Sequence, residues 1–165
     1  MPKQNIILNH EQIQHKIKRI AYQIYESNVN ETELILAGIA DKGYILAERL
    51  VDELNEISDI KVQLCKITMN KINPLNSVEV SLTAEEYSNK AIVLVDDVLN
   101  TGTSLMYGVN YFLGVPIKRF KTAVLVNRNH KKFPIKADFK GVSLSTSLHN
   151  HIEVTFGKTD KVTLS

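Results

Sequence analysis

Apolar and polar residues alternate along the chain in two different periods, and each period marks its own kind of element. From His10 to Ser27 the apolar residues Ile13, Ile17, Ile20, Ala21 and Ile24 recur every three or four positions, the spacing of one helical face. Asn9 stands where an N-cap belongs, Gln12 follows three residues on to reach back, and Leu8 can staple against Ile13. A second helical pattern fills YILAERLVDELN (44–55) through Ile45, Leu46, Leu50, Val51 and Leu54, and a third is expected over 103–113.

Short, continuous, β-branched runs lie between these helices: ELILAGIA (33–40), IKVQLCKITM (60–69), AIVLV (91–95) and FKTAVLVN (120–127). Such runs fit strands buried on both faces. Strands alternating with helices predict an α/β fold, a mostly parallel central sheet flanked by helices, which binds ligands at the carboxyl ends of its strands. ADKG (40–43) is then a strand-to-helix turn. Residues 70–89 break the pattern, being polar, containing Pro74 and keeping only a weak period of two at VEVSL. A mobile flap with a short hairpin is expected there.

Composition narrows the picture. A length of 165 residues at 44% hydrophobic content suits one domain over 1–165 rather than two. Lys plus Arg number 20 against 18 Asp plus Glu, so the whole molecule is not a general nucleic-acid binder. Residues 117–140 nevertheless hold eight basic side chains (Lys118, Arg119, Lys121, Arg128, Lys131, Lys132, Lys136, Lys140) against the single acid Asp138. A local positive field suits an anionic ligand, or is a solvated face. Cys65 is the lone cysteine, so no intramolecular disulfide forms, and it reads as a small buried hydrophobe. With no signal-type segment and no apolar run of membrane-spanning length, a cytoplasmic protein without membrane contact is expected.

The chemistry concentrates in AIVLVDDVLNTGTSL (91–105). Asp96 and Asp97 fall at the carboxyl end of a central strand, and LNTGTS is the turn into the next helix. Gly102 can take backbone angles closed to other residues, which lets several N–H groups converge at the helix N-terminus. Thr101, Thr103 and Ser104 add hydroxyls, and together these groups suit a phosphate monoester. Two neighbouring acids cannot bind phosphate as well. They can accept hydrogen bonds from vicinal hydroxyls, or hold Mg²⁺ through its waters. Phosphate on one side and a diol on the other describe a ribose 5-phosphate. Taken alone, the acids would merely end a strand and TGTS merely cap a helix; their conjunction in an alternating chain favours the site. No GK[ST] is present, so this is not a P-loop.

The stretch resembles the phosphoribosyl-diphosphate signature of type I phosphoribosyltransferases. ILAGIADKGYILAERL, VDDVLNTGTSL and AVLVNRNHKKFPIKADFKG resemble, in order, the bacterial pyrimidine-operon regulators that are also uracil phosphoribosyltransferases, across roughly residues 5–147. The resemblance implies the type I phosphoribosyltransferase fold with a small hood and a flexible flap. It implies that Asp96 and Asp97 bind the ribose hydroxyls of phosphoribosyl diphosphate and serve the reaction together with Mg²⁺. Thr101, Gly102, Thr103 and Ser104 would hold the 5-phosphate. Asp41, Lys42 and Gly43 would form the diphosphate loop, with a non-proline cis peptide expected at Asp41–Lys42. The base would meet Val126, Asn127, Arg128 and Ile135, largely through main-chain groups, with Arg128 within reach of the diphosphate. Phosphoribosyl diphosphate and a nucleobase are thus the implied ligands, and a homodimer or higher homo-oligomer the implied assembly.

Several residues depart from that family. Asn127 replaces the aspartate of its VDR segment, and Asn100 and Thr103 replace the bulky and basic residues of its LYTGRT loop. The flap is shorter and lacks the arginine expected near Asn70 and Lys71, and HIEVTFGKTDKVTLS stands in place of a longer acidic tail. Three readings therefore stay open: a Mg²⁺-dependent transferase acting on a nucleobase, foremost uracil; a regulator keeping the pocket as a sensor and binding RNA through the 117–140 cluster, its one direct support; and a generic α/β phosphate-binding module. His130 reads as a packing or surface histidine. His149 and His151 lack further ligands at metal-binding spacing.

Overall fold

The computed structural model describes residues 4–70, 72, 73, 75 and 77–165, so that Lys71, Pro74 and Asn76 of the expected flap lie outside the described residues. The first helix, α1 (His10–Ser27), begins as its sequence predicts. Asn9 Oδ1 accepts from the Gln12 N–H at 2.9 Å while Gln12 Oε1 accepts from the Asn9 N–H at 2.9 Å. All five apolar residues of its predicted face are buried. Each isoleucine among them contributes roughly 1.5–3 kcal/mol of transfer free energy, so packing rather than propensity holds the helix.

The larger sheet contains β2 (Glu33–Ile39), β3 (Lys61–Met69), β4 (Val78–Val80), β5 (Ala91–Leu99), β6 (Arg119–Arg128) and β7 (Phe139–Leu144), in the order β4-β3-β2-β5-β6-β7. All neighbours pair in parallel except β4, which returns antiparallel along β3. The side-chain period of two divides the core. Leu34, Leu36, Val93, Val95, Ala123 and Leu125 face α1 and α2 (Lys42–Ile57), whereas Ile35, Ala37, Ile39, Ile92, Leu94 and Val124 share the other core with Tyr87, Leu105 and Phe112. Tyr87 ends α3 (Ala84–Tyr87), and Leu105 and Phe112 belong to α4 (Thr103–Phe112). Burial on both faces is why these strands read as unbroken apolar runs.

One strand boundary differs from expectation. β5 continues past 95 to Leu99, because β6 keeps pairing with it through Asp96↔Val124, Val98↔Val126 and Leu99↔Asn127. The two aspartates therefore sit on laddered backbone. Within the expected flap region, β4 supplies the short hairpin, and Thr83 and Glu86 form a capping box that starts α3.

The chain's two ends build a second sheet that periodicity did not predict. β1 (Asn5–Leu8), β8 (Ile152–Thr155) and β9 (Lys161–Leu164) pair antiparallel in the order β1-β9-β8, forming the hood. Asp160, just before β9, ties the hood to the helices. Its side chain is fully buried and accepts from Arg49 Nη1 and Nη2, from Gln14 Nε2 at 2.6 Å and from the Gly157 N–H at 2.9 Å. Burial alone would push this carboxyl up; the Arg49 guanidinium and the other donors outweigh it and hold it below the usual aspartate range. Arg49 also lies 4.6 Å from the centroid of the Phe156 ring.

Candidate active site

The carboxyl ends of β2, β5 and β6 open on the same side, where the hood closes over them. The resulting cleft, of about 490 Å³, is lined by Lys42 at the start of α2, by residues 96–105, by Arg128, and by His151 to Val154 of the hood.

Asp96 is 3% exposed, whereas Asp97 is half-buried. Asp96 Oδ1 accepts from the Asp97 N–H at 2.9 Å, which fixes its orientation. Two adjacent carboxylates are hard oxygen donors suited to a hydrated Mg²⁺. Among the described residues no group of three or more metal-binding side chains occurs. The donor set thus fits an ion that keeps its waters and shares ligand oxygens, and does not fit a caged metal.

The turn after β5 has the geometry of an anion cradle. Gly102 adopts φ +89°, the left-handed region, and a Cβ there would lie 2.6 Å from Ile135 Cγ2. Only after this reversal does α4 begin; its cap residue Gly102 offers no side chain, and the Thr101 hydroxyl accepts from the Thr103 N–H at 3.3 Å. Thr101 Oγ1 and Thr103 Oγ1 are 2.8 Å apart, and the Lys132 and Phe133 N–H groups donate to the Thr101 carbonyl at 2.8 and 3.2 Å. Those two bonds brace the loop from behind. The first-turn amides of α4 beyond Thr103 lack intrahelical partners, and with the helix dipole they suit a phosphate at this turn.

Across the cleft, Gly43 brings α2 against β5. A Cβ on Gly43 would come within 2.8 Å of the Val95 carbonyl and 2.9 Å of Asp96 Cα. The cis peptide lies at Ala40–Asp41, one bond before the expected Asp41–Lys42. The Ala40 N–H still donates to the Ile67 carbonyl at 2.8 Å and α2 opens at Lys42, so the strand-to-helix reversal is confined to the bonds on either side of Asp41. Lys42 Nζ lies 3.9 Å from Glu153 Oε1 of β8.

Of the sequence-derived candidates, Lys42, Asp96, Asp97, Thr101, Gly102, Thr103, Ser104 and Arg128 share this cleft, and Asp41, Gly43, Val126, Asn127 and Ile135 are not on its wall. Asp41 is exposed in the turn. Val126 is buried between Val98 and Val142 in the sheet, and Ile135 packs beneath Gly102. Asn127 faces a neighbouring cavity with Ser143, its Nδ2 donating to Ser143 Oγ at 3.2 Å and its Oδ1 buried without a partner. Arg128 is buried, and its guanidinium donates to Thr146 Oγ1 and to the carbonyls of Ser147 and Asn150. It shapes the turn that carries His149 and His151.

The hood wall, His151 to Val154, escaped the sequence reading. Period-two alternation in HIEVT was the available signal: Ile152 and Val154 are buried and Glu153 between them is exposed. The basic cluster is also less open than its sequence suggests, since Lys118 pairs with Glu31 at 2.8 Å, Arg119 bonds Ser27, and Arg128 is buried.

The phosphoribosyl transferase domain family matches residues 3–160. The chain belongs to that family. It is a phosphoribosyltransferase, and its relatives agree over nearly their whole length. The bifunctional protein PyrR of Fusobacterium nucleatum is 33% identical over 167 residues, covering 96% of this chain and 94% of that one. PyrR of Bacillus cereus is 30% identical, covering 98% and 95%. Among solved structures, a hypoxanthine-guanine phosphoribosyltransferase of Bacillus anthracis superposes with a TM-score of 0.73 at 19% identity over 85% of this chain and 82% of that one. The hypoxanthine phosphoribosyltransferase of Trypanosoma cruzi, in complex with its product IMP, gives 0.73 at 19% identity over 87% and 81%. At such identity these two establish the phosphoribosyltransferase fold alone. No helix among the described residues is long and apolar enough to cross a membrane.

Proposed function

We propose that the protein transfers the phosphoribosyl group of phosphoribosyl diphosphate to a nucleobase, foremost uracil, with Mg²⁺ and with release of diphosphate, as a cytoplasmic homodimer. The observation that carries this reading is the placing of a carboxylate pair and a glycine-turned helix N-terminus in one cleft, at the carboxyl end of the central strand.

Amides and hydroxyls at Thr101 to Ser104 take the 5-phosphate and anchor the sugar. Asp96 and Asp97 accept from the ribose hydroxyls and orient the ring. The turn ahead of α2, with Lys42, faces the diphosphate. The bond from C1 to the diphosphate oxygen breaks, its electron pair leaving with diphosphate, as a base nitrogen bonds to C1, and the proton on that nitrogen passes to the released diphosphate or to water. Carboxylates fixed beside the ring stabilise the positive charge that develops at C1 and the ring oxygen. Asp96 and Asp97 would hold a hydrated Mg²⁺, which would supply charge neutralisation for the departing oxygens. No nucleophilic side chain is required, and Cys65 is buried in the α4-side core, its thiol pushed up by burial.

A second reading, a sensor that binds phosphoribosyl diphosphate or nucleotides with little turnover and with RNA as a further partner, draws support from Asn127, which leaves an unpartnered oxygen where its family carries a charge. Phosphorus NMR of the protein with phosphoribosyl diphosphate and Mg²⁺ separates the two. Free diphosphate that appears only when uracil or another base is added supports the transferase. Ligand signals that broaden with every base and yield no diphosphate favour the sensor.

A further inference from the structure

Helix α2 carries two cations toward the hood, Lys42 and Arg49, seven residues and so two helical turns apart on one face. The hood answers with two acids at the same interval, Glu153 and Asp160. The rear pair is fixed: Arg49 reaches Asp160 with both terminal nitrogens, against a fully buried carboxylate and beside Phe156. The front pair differs in character. Lys42 Nζ and Glu153 Oε1 stand 3.9 Å apart at the rim of the cleft, with side chains 41% and 47% exposed. The rear clamp ties the segment before β9 to α2, β9 pairs with β8, and the alternation of β8, with Ile152 and Val154 buried, leaves Glu153 exposed beside Lys42. Both side chains are half-exposed, and their approach at the rim of the cleft joins β8 of the hood to the first residue of α2.

The consequence is electrostatic. The charged side chains lining the cleft are Lys42 and Arg128 against Asp96, Asp97 and Glu153. Arg128 spends its donors on Thr146, Ser147 and Asn150, so among the described residues lining the cleft Lys42 is the cation beside the turn ahead of α2, and Glu153 opposes it.

We propose that Glu153 is a specificity-determining residue that makes diphosphate binding depend on a divalent cation: by pairing with Lys42 across the cleft it leaves that side without net positive charge, so metal-free diphosphate is repelled and the metal-bound form is accepted. The inference rests on the reading of the cleft as a phosphoribosyl diphosphate site. A half-exposed pair is worth up to about fivefold in an equilibrium constant, and Glu153 adds direct repulsion of an incoming oxyanion.

The test is calorimetric titration of inorganic diphosphate and of phosphoribosyl diphosphate into the full chain, with Mg²⁺ and again with EDTA. In Glu153→Gln the metal-free affinity should rise about three- to tenfold, while the affinity with Mg²⁺ rises less, so the ratio between the two conditions narrows. In Lys42→Met both affinities should fall, and adding Glu153→Gln to it should restore less than it gains in the wild-type background. A Glu153→Gln variant whose Mg²⁺-to-EDTA ratio equals that of the wild type overturns the inference and leaves the phosphoribosyl diphosphate site standing. Failure of the wild type to bind either ligand in either condition overturns both.

Discussion

Replacing Asp160 by asparagine tests whether the hood is held by charge. The substitution is close to isosteric and keeps an oxygen for the Gly157 N–H, but removes the negative charge that Arg49 embraces. Breaking a buried pair from one side typically costs about 3–5 kcal/mol, because the remaining charge is left uncompensated. Arg49 keeps a side-chain exposure of 26%, so water recovers part of that cost and about 2–3 kcal/mol is expected. In urea, with a slope of roughly 2–3 kcal/mol per M for a chain of this size, the midpoint should fall by about 1 M. The pH dependence supplies a second readout. Asp160 is held below the usual carboxylate range in the folded protein, so its stabilisation is complete above the unfolded value near ~4 and disappears as pH falls through the folded value. The gap between wild type and variant should therefore be full at neutral pH and shrink in acid. Unchanged midpoints at neutral pH, or a gap that widens on acidification, would refute the reasoning.

Gly102→Ala should weaken phosphoribosyl diphosphate binding, measured by calorimetry, since the left-handed backbone costs a side chain about 1–2 kcal/mol and Ile135 must also move. Asp97→Asn should reduce affinity for the same ligand by about 2 kcal/mol, roughly thirtyfold, through loss of a charged acceptor, with the melting temperature little changed because the side chain is only half-buried. Asn9→Ala should lower global stability by about 1 kcal/mol in chemical denaturation while leaving ligand binding unaltered, because the cap lies at the start of α1, outside the cleft lining.

Much of the cleft was legible because its parts are local. A glycine needed for a left-handed turn, hydroxyl residues around it and two acids after a β-branched run all fall within residues 91–105, and the backbone physics linking them acts over a few bonds. The capping box of α1 was legible for the same reason. Where the side chains of the expected base segment point was not: the parallel ladder holds Val126 between Val98 and Val142, and Ile135 packs beneath Gly102.

The sequence by itself determined the α/β class, the order of four central strands with the helices between them and the glycine turn after β5, since side-chain period and turn chemistry are properties of neighbouring residues. Tertiary structure decided what sits opposite them. β1 and β9 pair residues 5–8 with 162–164, and that pairing carries Glu153 to Lys42 and Asp160 to Arg49. Partners more than a hundred residues apart leave no periodic trace in the chain. They meet only because burying Ile152, Val154 and Val162 against α1 and α2 brings the chain's two ends together over the cleft.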